Sequence, residues 1–325
     1  MTGDGDDRVY IEAAARDFFA GNLAAAFAAT LAAVRLDPYV LRSQILALTI
    51  IVRTPDHLTA RFVAEWLAAC RFGNLDNAAA ILADVFTESG EAYPIFSAFS
   101  IVALRLGNPD LSRALFSRCL SASLPPSLES AAVESQYGST AAANYDDAGL
   151  HVESVAAFMD FLVRNLGQAG PWDIVDAPCG TGLAGPALRP WALRLVGSDL
   201  SAAMVAQARL RGGYDELIVG DLLETLPRLS ADLLVSHGSL YHFEELGPVA
   251  AAAAASLGPG GWFAFTDYPA PEGVMVTIGG NRRYCRAAQV VRDALASQGF
   301  VELASELALT FGLPCVYWLF RKGEA

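Results

Sequence analysis

The sequence has few basic residues, and they form no run. Lys and Arg together number 22 against 35 Asp and Glu, so the net charge is −13 and the isoelectric point is about 4.7. Proteins that bind DNA or RNA neutralise phosphate groups with Lys and Arg side chains. The composition therefore argues against a nucleic-acid substrate.

Membrane, secretion, disulfide and metal signals are also missing. No uncharged apolar stretch reaches the roughly 18 residues of a membrane span, and the N-terminus MTGDGDD lacks the basic and apolar regions of a signal peptide. The cysteines are odd in number and scattered without CxxC spacing, which is typical of reduced thiols: Cys70, Cys119, Cys179, Cys285 and Cys315. No cluster of His, Asp or Glu has metal-ligand spacing. We expect a cytoplasmic protein with no membrane contact and no metal.

Length and composition indicate two domains. The chain has 325 residues, more than one ordinary domain, and 54% of them are hydrophobic. Residues 8–120 show helical patterns and almost no strand signal. We predict an all-α domain over residues 1–127, and an α/β domain over residues 128–325 that includes a Ser/Ala/Pro-rich linker and a lead-in helix.

The most informative segment is Asp173–Ser201. A short apolar strand ends at Asp176, a turn with Gly180 and Gly182 follows, and then an Ala/Leu-rich stretch predicts about three helical turns. A second apolar strand ends at Asp199. Glycines let a backbone approach a ligand closely, and a carboxylate at the end of the second strand can bind both ribose hydroxyls. This order of elements predicts a nucleoside site in an open α/β sheet.

The turn distinguishes two classes of cofactor. Dinucleotide sites use GxGxxG, whereas here Pro178 stands in place of the first glycine and an acid precedes the turn. The segment resembles motif I of the class I S-adenosylmethionine-dependent methyltransferases, usually written DxGxGxG. The resemblance implies that Asp176, Pro178, Gly180 and Gly182 surround the methionine end of the cofactor. It also implies that Asp199, with Leu200 after it, binds the ribose.

The remaining strands follow the order of that family over residues 140–325. Asp221 and Leu222, after the strand Glu216–Gly220, would bind the adenine, and the strand Ala231–Ser236 would bring Ser236 to the cofactor edge. A fifth strand, Trp262–Tyr268, precedes Val301–Thr310 and Cys315–Arg321, whose short connection requires an antiparallel pair. We therefore predict a Rossmann-like, seven-stranded methyltransferase sheet.

Candidate residues for chemistry follow the fourth and fifth strands, because ligands bind beyond the carboxyl ends of parallel strands. His237 is the preferred general base, with Tyr241 and His242 as further catalytic candidates. The alternative is methyl transfer by alignment alone, without a base. His57 and His151 have no comparable context. The candidates for contact with the acceptor are Asp267 and Tyr268, which end the fifth strand, and Arg282, Arg283 and Tyr284 in a predicted loop, Pro269–Tyr284.

The N-terminal helices contain an imperfect repeat. Gly21-Asn22, Gly73-Asn74 and Gly107-Asn108 each precede an apolar helix, and small residues such as Ala26, Ala33, Ala78, Ser112 and Cys119 recur within them. This resembles the tetratricopeptide repeat, with an ordinary alanine-rich bundle as the alternative. We expect six to eight helices that recognise the acceptor, bind a protein partner or form a homodimer.

The segment between the domains completes the predicted site. After the linker Ser121–Ala143, Tyr145 begins a lead-in segment in which Val152, Val155, Phe158 and Leu162 have helical spacing. The family resemblance makes Tyr145 a candidate to cover the bound cofactor. The sequence as a whole predicts an S-adenosylmethionine-dependent O- or N-methyltransferase for a small-molecule or peptide acceptor. The alternatives are a non-methylating S-adenosylmethionine enzyme and a cofactor-binding scaffold that recruits a partner.

Overall fold

The computed structural model describes residues 7–89, 92–117, 150–167, 170–270, 276–278, 283–310 and 313–324. These residues form two compact units, one chiefly of the helices before residue 118 and one chiefly of the chain from residue 150 onward. The predicted boundary at residues 127 and 128, the linker Ser121–Ala143, Cys119 and Tyr145 lie outside the described residues. The boundary and the role of Tyr145 therefore stay predictions.

Seven helices make up the described part of the first unit. They are α1 (Asp7–Phe19), α2 (Leu23–Leu36), α3 (Leu41–Arg53), α4 (Asp56–Cys70), α5 (Leu75–Ser89), α6 (Ala92–Arg105) and α7 (Pro109–Ser117). Small residues are buried where the sequence analysis expected close helix packing, since Ala26, Ala33, Ala78 and Ser112 have no exposed surface. The helical character of this region is as predicted, whereas its assignment to the tetratricopeptide repeats stays a prediction.

Arg105 ties three of these helices together. Its guanidinium donates to the carbonyl of Ile51 at 3.1 Å, to that of Val52 at 2.5 Å and to that of Thr54, all at the end of α3. It also pairs with Asp56 in the first turn of α4. The last carbonyls of a helix have no hydrogen-bond partner within the helix. Arg105 of α6 therefore donates hydrogen bonds to the carbonyls that have no such partner within α3.

The second unit is built on a sheet of nine strands, seven of which run in the order β3-β2-β1-β4-β5-β9-β8. The other two are β7 (Arg283–Arg286), which neighbours β5, and β6 (Val276–Ile278), which pairs with β7. The seven strands are β1 (Trp172–Asp176), β2 (Ala192–Asp199), β3 (Glu216–Val219), β4 (Ala231–Ser236), β5 (Leu257–Pro269), β8 (Phe300–Thr310) and β9 (Leu313–Lys322). The first five are parallel, and β9 is antiparallel to both β5 and β8. The predicted fold class and the antiparallel C-terminal pair are confirmed.

Helices connect and cover the strands. They are α8 (Leu150–Leu166), α9 (Gly185–Leu188), α10 (Ala202–Arg211), α11 (Leu222–Thr225), α12 (Gly247–Ser256) and α13 (Ala288–Ala296). The core includes Leu233, Leu234 and Val235 of β4, which are fully buried as expected of a parallel strand covered on both faces. None of the helices in the described ranges is long and apolar enough for a membrane crossing.

Three local predictions were wrong. The helix after the glycine turn is α9, with only four residues and a 3₁₀ turn after it, because Pro190 lacks the N–H needed to continue the helix. The segment predicted as a loop after β5 contains the hairpin β6 (Val276–Ile278) and β7 (Arg283–Arg286), whose strands are too short to show periodicity. On α8, Val152 is 50% exposed rather than part of the buried face.

Candidate functional site

The turn after β1 is fastened to the end of β2. Gly180 and Gly182 have φ values of 54° and 81°, a left-handed conformation that residues with a Cβ rarely adopt. The Cys179 N–H donates to the carbonyl of Ser198 at 2.8 Å, and the Gly180 N–H donates to Asp199 Oδ2 at 2.9 Å. Hydrogen bonds therefore join the two halves of the sequence motif, the glycine turn and the acid at the end of β2.

Asp199 fits a ligand with two adjacent hydroxyls. Besides the bond from Gly180 to Oδ2, its Oδ1 accepts from the N–H of Ser201 at 2.8 Å. Burial raises the pKa of this carboxyl, and the bonds from Ser201 and Gly180 oppose that rise. Each carboxylate oxygen can accept two hydrogen bonds. Both oxygens therefore have capacity left for the two hydroxyls of a ribose.

Asp176 lies behind the turn. Its side chain is 1% exposed, and it is not among the residues that line the cleft described next. The hydroxyl of Tyr214 donates to its Oδ2 at 2.6 Å. Burial raises the pKa of Asp176 to about 7; the bond from Tyr214 opposes the rise, and the charge of Asp199 adds to it. Contact of Asp176 with the methionine end of a cofactor stays a prediction.

Two adjoining pockets form a cleft along the carboxyl edge of the sheet. They hold about 780 and 580 Å³, partly open to solvent, which is in the range of small-molecule sites. The pockets share the residues Pro178, Asp199, Leu200, Ser239 and His242. The smaller pocket continues along Asp221 and Leu222, and the larger one along Gly180 and His237. The cleft therefore brings together predicted residues from the ends of β1, β2, β3 and β4.

Besides Asp176, two predicted cofactor residues lie outside this lining. Gly182 is buried and would place a Cβ only 3.0 Å from Ala208 and 3.1 Å from the ring of Tyr214. Ser236 is 1% exposed, and its hydroxyl lies 2.9 Å from that of Ser239, which does line the cleft. Gly182 therefore allows close packing under the turn, and Ser236 contacts the cleft wall from behind.

Three histidines line the larger pocket. His237 and His242 follow β4, and His151 comes from the first turn of α8. The structure corrects the sequence analysis on His151, for which no functional context was found. Among the described residues, no group of three His, Cys, Asp or Glu side chains could hold a metal ion.

His237 is held in place by α8. Its Nε2 lies 3.1 Å from the hydroxyl of Ser154, and its ring lies 5.3 Å from that of Phe158. Burial lowers the pKa of His237 to about 4, and proximity to His151 adds to this effect. The imidazole is therefore neutral at pH 7. A neutral imidazole can accept a proton or a hydrogen bond, although a base with so low a pKa is weak.

Buried contacts surround the other candidates after β4 and β5. Tyr241 is 2% exposed and stacks on Tyr268 at a ring distance of 4.8 Å. Asp267 is 2% exposed and forms an ion pair with Arg286, which donates to both carboxylate oxygens at 3.0 Å. Burial raises the pKa of Asp267, while the charge of Arg286 opposes the rise. Tyr241, Tyr268 and Asp267 therefore lie in the wall behind the cleft, and neither pocket is lined by them.

The remaining acceptor candidates are only partly described. Tyr284, on β7, is 4% exposed. Arg283 begins β7, but its side chain is not among those described, and Arg282 lies outside the described residues. The roles predicted for these three residues stay predictions.

Sequence reasoning missed Tyr214, Arg286, His151 and Ser154. Nothing in the sequence connects Tyr214 with Asp176 or Arg286 with Asp267, because each pair meets only through the fold. A signal existed for His151, which has the spacing of one helix face with Val155 and Phe158. Both Val155 and His151 line the larger pocket. If the apolar face of this helix had been counted from His151 rather than from Val152, His151 would have been predicted to lie on the same side as Val155.

Comparisons with known proteins agree with this geometry. Residues 175–265 match a family described as a methyltransferase domain. Over 137 residues, 42% of this chain, the sequence is 30% identical to the malonyl-[acyl-carrier protein] O-methyltransferase of Pseudescherichia vulneris. The match spans 53% of that relative, so the chain covers about half of its length.

Solved structures share the fold. The magnesium protoporphyrin IX methyltransferase of Synechocystis PCC 6803 with bound SAH superimposes with a TM-score of 0.50 and 18% identity, over 60% of this chain and 99% of that one. Its complex with SAM gives the same TM-score and identity over 62% and 100%. At this level of identity the likeness shows the fold of the second unit.

Proposed function

We propose that this chain, which carries a methyltransferase domain, transfers the methyl group of S-adenosylmethionine to an oxygen or nitrogen of a small-molecule or peptide acceptor. The observation that carries the proposal is the cleft that runs from Asp199 at the end of β2 to His237 at the end of β4. One end has the Asp199 carboxylate, whose oxygens suit a ribose, and the other has the neutral imidazole of His237 together with His151 and His242. The matched family and the O-methyltransferase relative support the same activity.

Each wall of the cleft has a proposed role. Asp199 accepts hydrogen bonds from the ribose, and the backbone of the glycine turn lies against the methionine portion. Asp221 accepts from the adenine amino group; its Oδ1 already caps α11 by accepting from the N–H of Leu223 at 2.8 Å, which fixes its direction.

The chemistry needs little from the protein beyond alignment. Bound S-adenosylmethionine supplies a methyl group on a positively charged sulfur, which an oxygen or nitrogen nucleophile attacks directly. The chain holds the acceptor in line with that methyl group, a proximity effect. His237 accepts a hydrogen bond or a proton from the acceptor, and its low pKa makes it a weak base. Alignment is therefore the larger contribution and proton removal the smaller.

Cofactor binding tests the first part of the proposal. Calorimetry should show that the protein binds S-adenosylhomocysteine and does not bind NAD. Asp199→Ala should weaken the binding of S-adenosylhomocysteine by about 1–3 kcal/mol, since the ribose hydroxyls lose a buried charged partner. The control is Asp160→Ala, which removes an exposed carboxylate from α8. NAD binding, or equal affinities for the two variants, would contradict the proposal.

An acceptor screen tests the second part. Release of S-adenosylhomocysteine is measured with hydroxyl, amine and carboxylate compounds, and with a malonyl thioester of acyl carrier protein because a relative methylates malonyl-[acyl-carrier protein]. Product mass identifies the methylated atom. Cofactor binding without turnover on any class would favour a scaffold, and turnover without a methylated product would favour other S-adenosylmethionine chemistry.

A further inference from the structure

Tyr214 lies beneath the glycine turn, in the loop between α10 and β3. It is far from Asp176 in the sequence, yet its hydroxyl donates to Asp176 Oδ2 at 2.6 Å. The surroundings raise the pKa of Tyr214 far above its usual value, chiefly by burial and by the charge of Asp176. The phenol therefore keeps its proton and remains a donor at every pH at which the protein is folded.

Three glycines make room for this ring. A Cβ at position 185 would lie 2.6 Å from Tyr214 Cε2, and one at position 197 would lie 2.9 Å from Cδ1. At position 182 the distance to Cε2 would be 3.1 Å. Gly182 and Gly185 are in or next to the turn, and Gly197 is on β2. These glycines thus do more than allow a cofactor to approach, since they allow a tyrosine ring to pack against the inner side of the turn.

Because of the groups around Asp176, the hydrogen bond from Tyr214 is important for the ionisation of the Asp176 carboxyl. Asp199 and the Cys179 thiol face it along with Tyr214. Burial and the charges of Asp176 and Asp199 raise the pKa of Cys179, so the thiol is uncharged. The negative charge of Asp199 disfavours ionisation of Asp176, whereas the Tyr214 bond favours it. No cation is among the groups that shift the pKa of Asp176 in the described structure.

We propose that Tyr214 is a positioning residue of the cofactor site, whose hydroxyl favours the charged form of the Asp176 carboxyl behind the turn, so that this charge favours the cofactor's ammonium group. The inference rests on the proposed function, because it requires a ligand with an ammonium group in the cleft. Tyr214 acts through Asp176 and does not itself line either pocket.

The consequence is a characteristic dependence on pH. A hydrogen bond to the ionised carboxylate lowers its pKa, so removing the bond raises the pKa above the value of about 7. For the wild type, affinity for S-adenosylhomocysteine should rise as pH increases through about 7. In Tyr214→Phe, which keeps the ring and removes only the hydroxyl, that rise should move to higher pH.

The test measures S-adenosylhomocysteine affinity by calorimetry between about pH 5.5 and 8.5 for the full chain. Tyr214→Phe should bind up to about fivefold more weakly at pH 7 and approach the wild type at the upper end, since a pKa that is higher by about one lowers the ratio of charged to neutral carboxyl about tenfold. Tyr10→Phe, which removes a hydroxyl from a 41% exposed tyrosine on α1, is the matched control. In an Asp176→Asn background, Tyr214→Phe should leave the pH profile unchanged.

The outcomes separate this inference from the proposed function. A wild-type protein that binds no S-adenosylhomocysteine would overturn both. A wild type that binds, together with a Tyr214→Phe profile identical to it, would overturn only the role of Tyr214. A loss of equal size at every pH would also overturn it, because a packing defect would weaken binding without moving the midpoint. Thermal unfolding of each variant checks that the fold is retained.

Discussion

At the scale of single residues, the two acids of the glycine motif are in different environments. Asp199 borders the cleft and has its orientation fixed by two backbone N–H groups. Asp176 is buried behind the turn and is held by one phenol. The sequence makes these acids look equivalent, as strand-ending carboxylates beside glycines. In our proposal, Asp199 therefore binds the ribose, and Asp176 acts through its charge.

His237 should show the behaviour of a weak, neutral base. Because its pKa is about 4, the imidazole is uncharged from neutral pH down to about 5. With saturating cofactor and an acceptor found by the screen, kcat should therefore stay level over that range and fall only as pH approaches 4. His237→Ala should lower kcat by roughly 10²-fold, the lower end for general base catalysis, with cofactor affinity unchanged.

The control for this prediction is His57→Ala, which removes an exposed histidine from α4. A loss in His237→Ala of less than tenfold would favour alignment as the whole mechanism. A wild-type rate that falls near pH 6.5, and a His237→Ala rate that does not, would show that the histidine is less buried during turnover than in the free protein.

At the scale of elements, Arg286 connects the loop after β4 with the end of β5. From β7, its guanidinium donates to both oxygens of Asp267 at 3.0 Å, to the carbonyl of Leu240 at 3.3 Å and to that of Phe243. The loop that carries His237 and His242 is thereby fixed by the hairpin inserted after β5. An insertion that the sequence analysis treated as a plain loop thus forms part of the support of the site.

Arg286→Met should strongly destabilise the protein. Removing one partner of a buried ion pair leaves the other charge unpaired and costs about 3–5 kcal/mol. The control is Arg292→Met, which breaks a pair with Glu302 in which the arginine side chain is 41% exposed and should cost about 0–1 kcal/mol. Denaturant unfolding measures both. Equal losses would contradict the structural role of Arg286, and adding Asp267→Asn should recover part of the loss.

The sequence predicted those elements correctly whose composition is typical of their place in the fold. The bounds of β4 are those predicted, since a continuous apolar run next to a polar loop indicates a buried parallel strand. The ends of β1, β2 and β3 carry Asp176, Asp199 and Asp221 as expected. The contacts of Tyr214 and Arg286 could not be predicted, because each depends on segments brought together only in the folded sheet. The length of α9 was not predicted correctly, because the Ala/Leu-rich composition favours a long helix and the effect of Pro190 was not considered.

At the scale of the whole molecule, the cleft belongs to the second unit. Every residue that lines the two pockets lies between positions 151 and 243. We propose that the helical unit contributes to acceptor recognition or dimerisation and makes no contact with the cofactor. Its seven described helices bury their small residues against one another, as expected of a layer that folds cooperatively.

Deletion of residues 1–127 tests this division. S-adenosylhomocysteine affinity should remain within about tenfold of the full chain, because every described residue that lines the two pockets belongs to the second unit. Turnover of the acceptor, or the dimer seen by light scattering, should be lost. Circular dichroism establishes that the truncated protein is folded. A folded truncation that no longer binds cofactor, or one that methylates normally as the same oligomer, would show that the division is wrong.

The packing of Tyr214 against Gly182, Gly185 and Gly197 also limits the order in which these positions can change during evolution. While the ring is present, alanine at position 185 or 197 meets it at less than 3 Å, so a single substitution there is blocked. Loss of the ring must come first, and it leaves a void that costs stability until side chains grow into it. Lineages that keep the tyrosine should therefore keep these glycines. Those that lose it should accumulate larger residues at 185, and at 197 only where Leu217, whose Cδ2 would lie 2.7 Å from a Cβ there, has also changed.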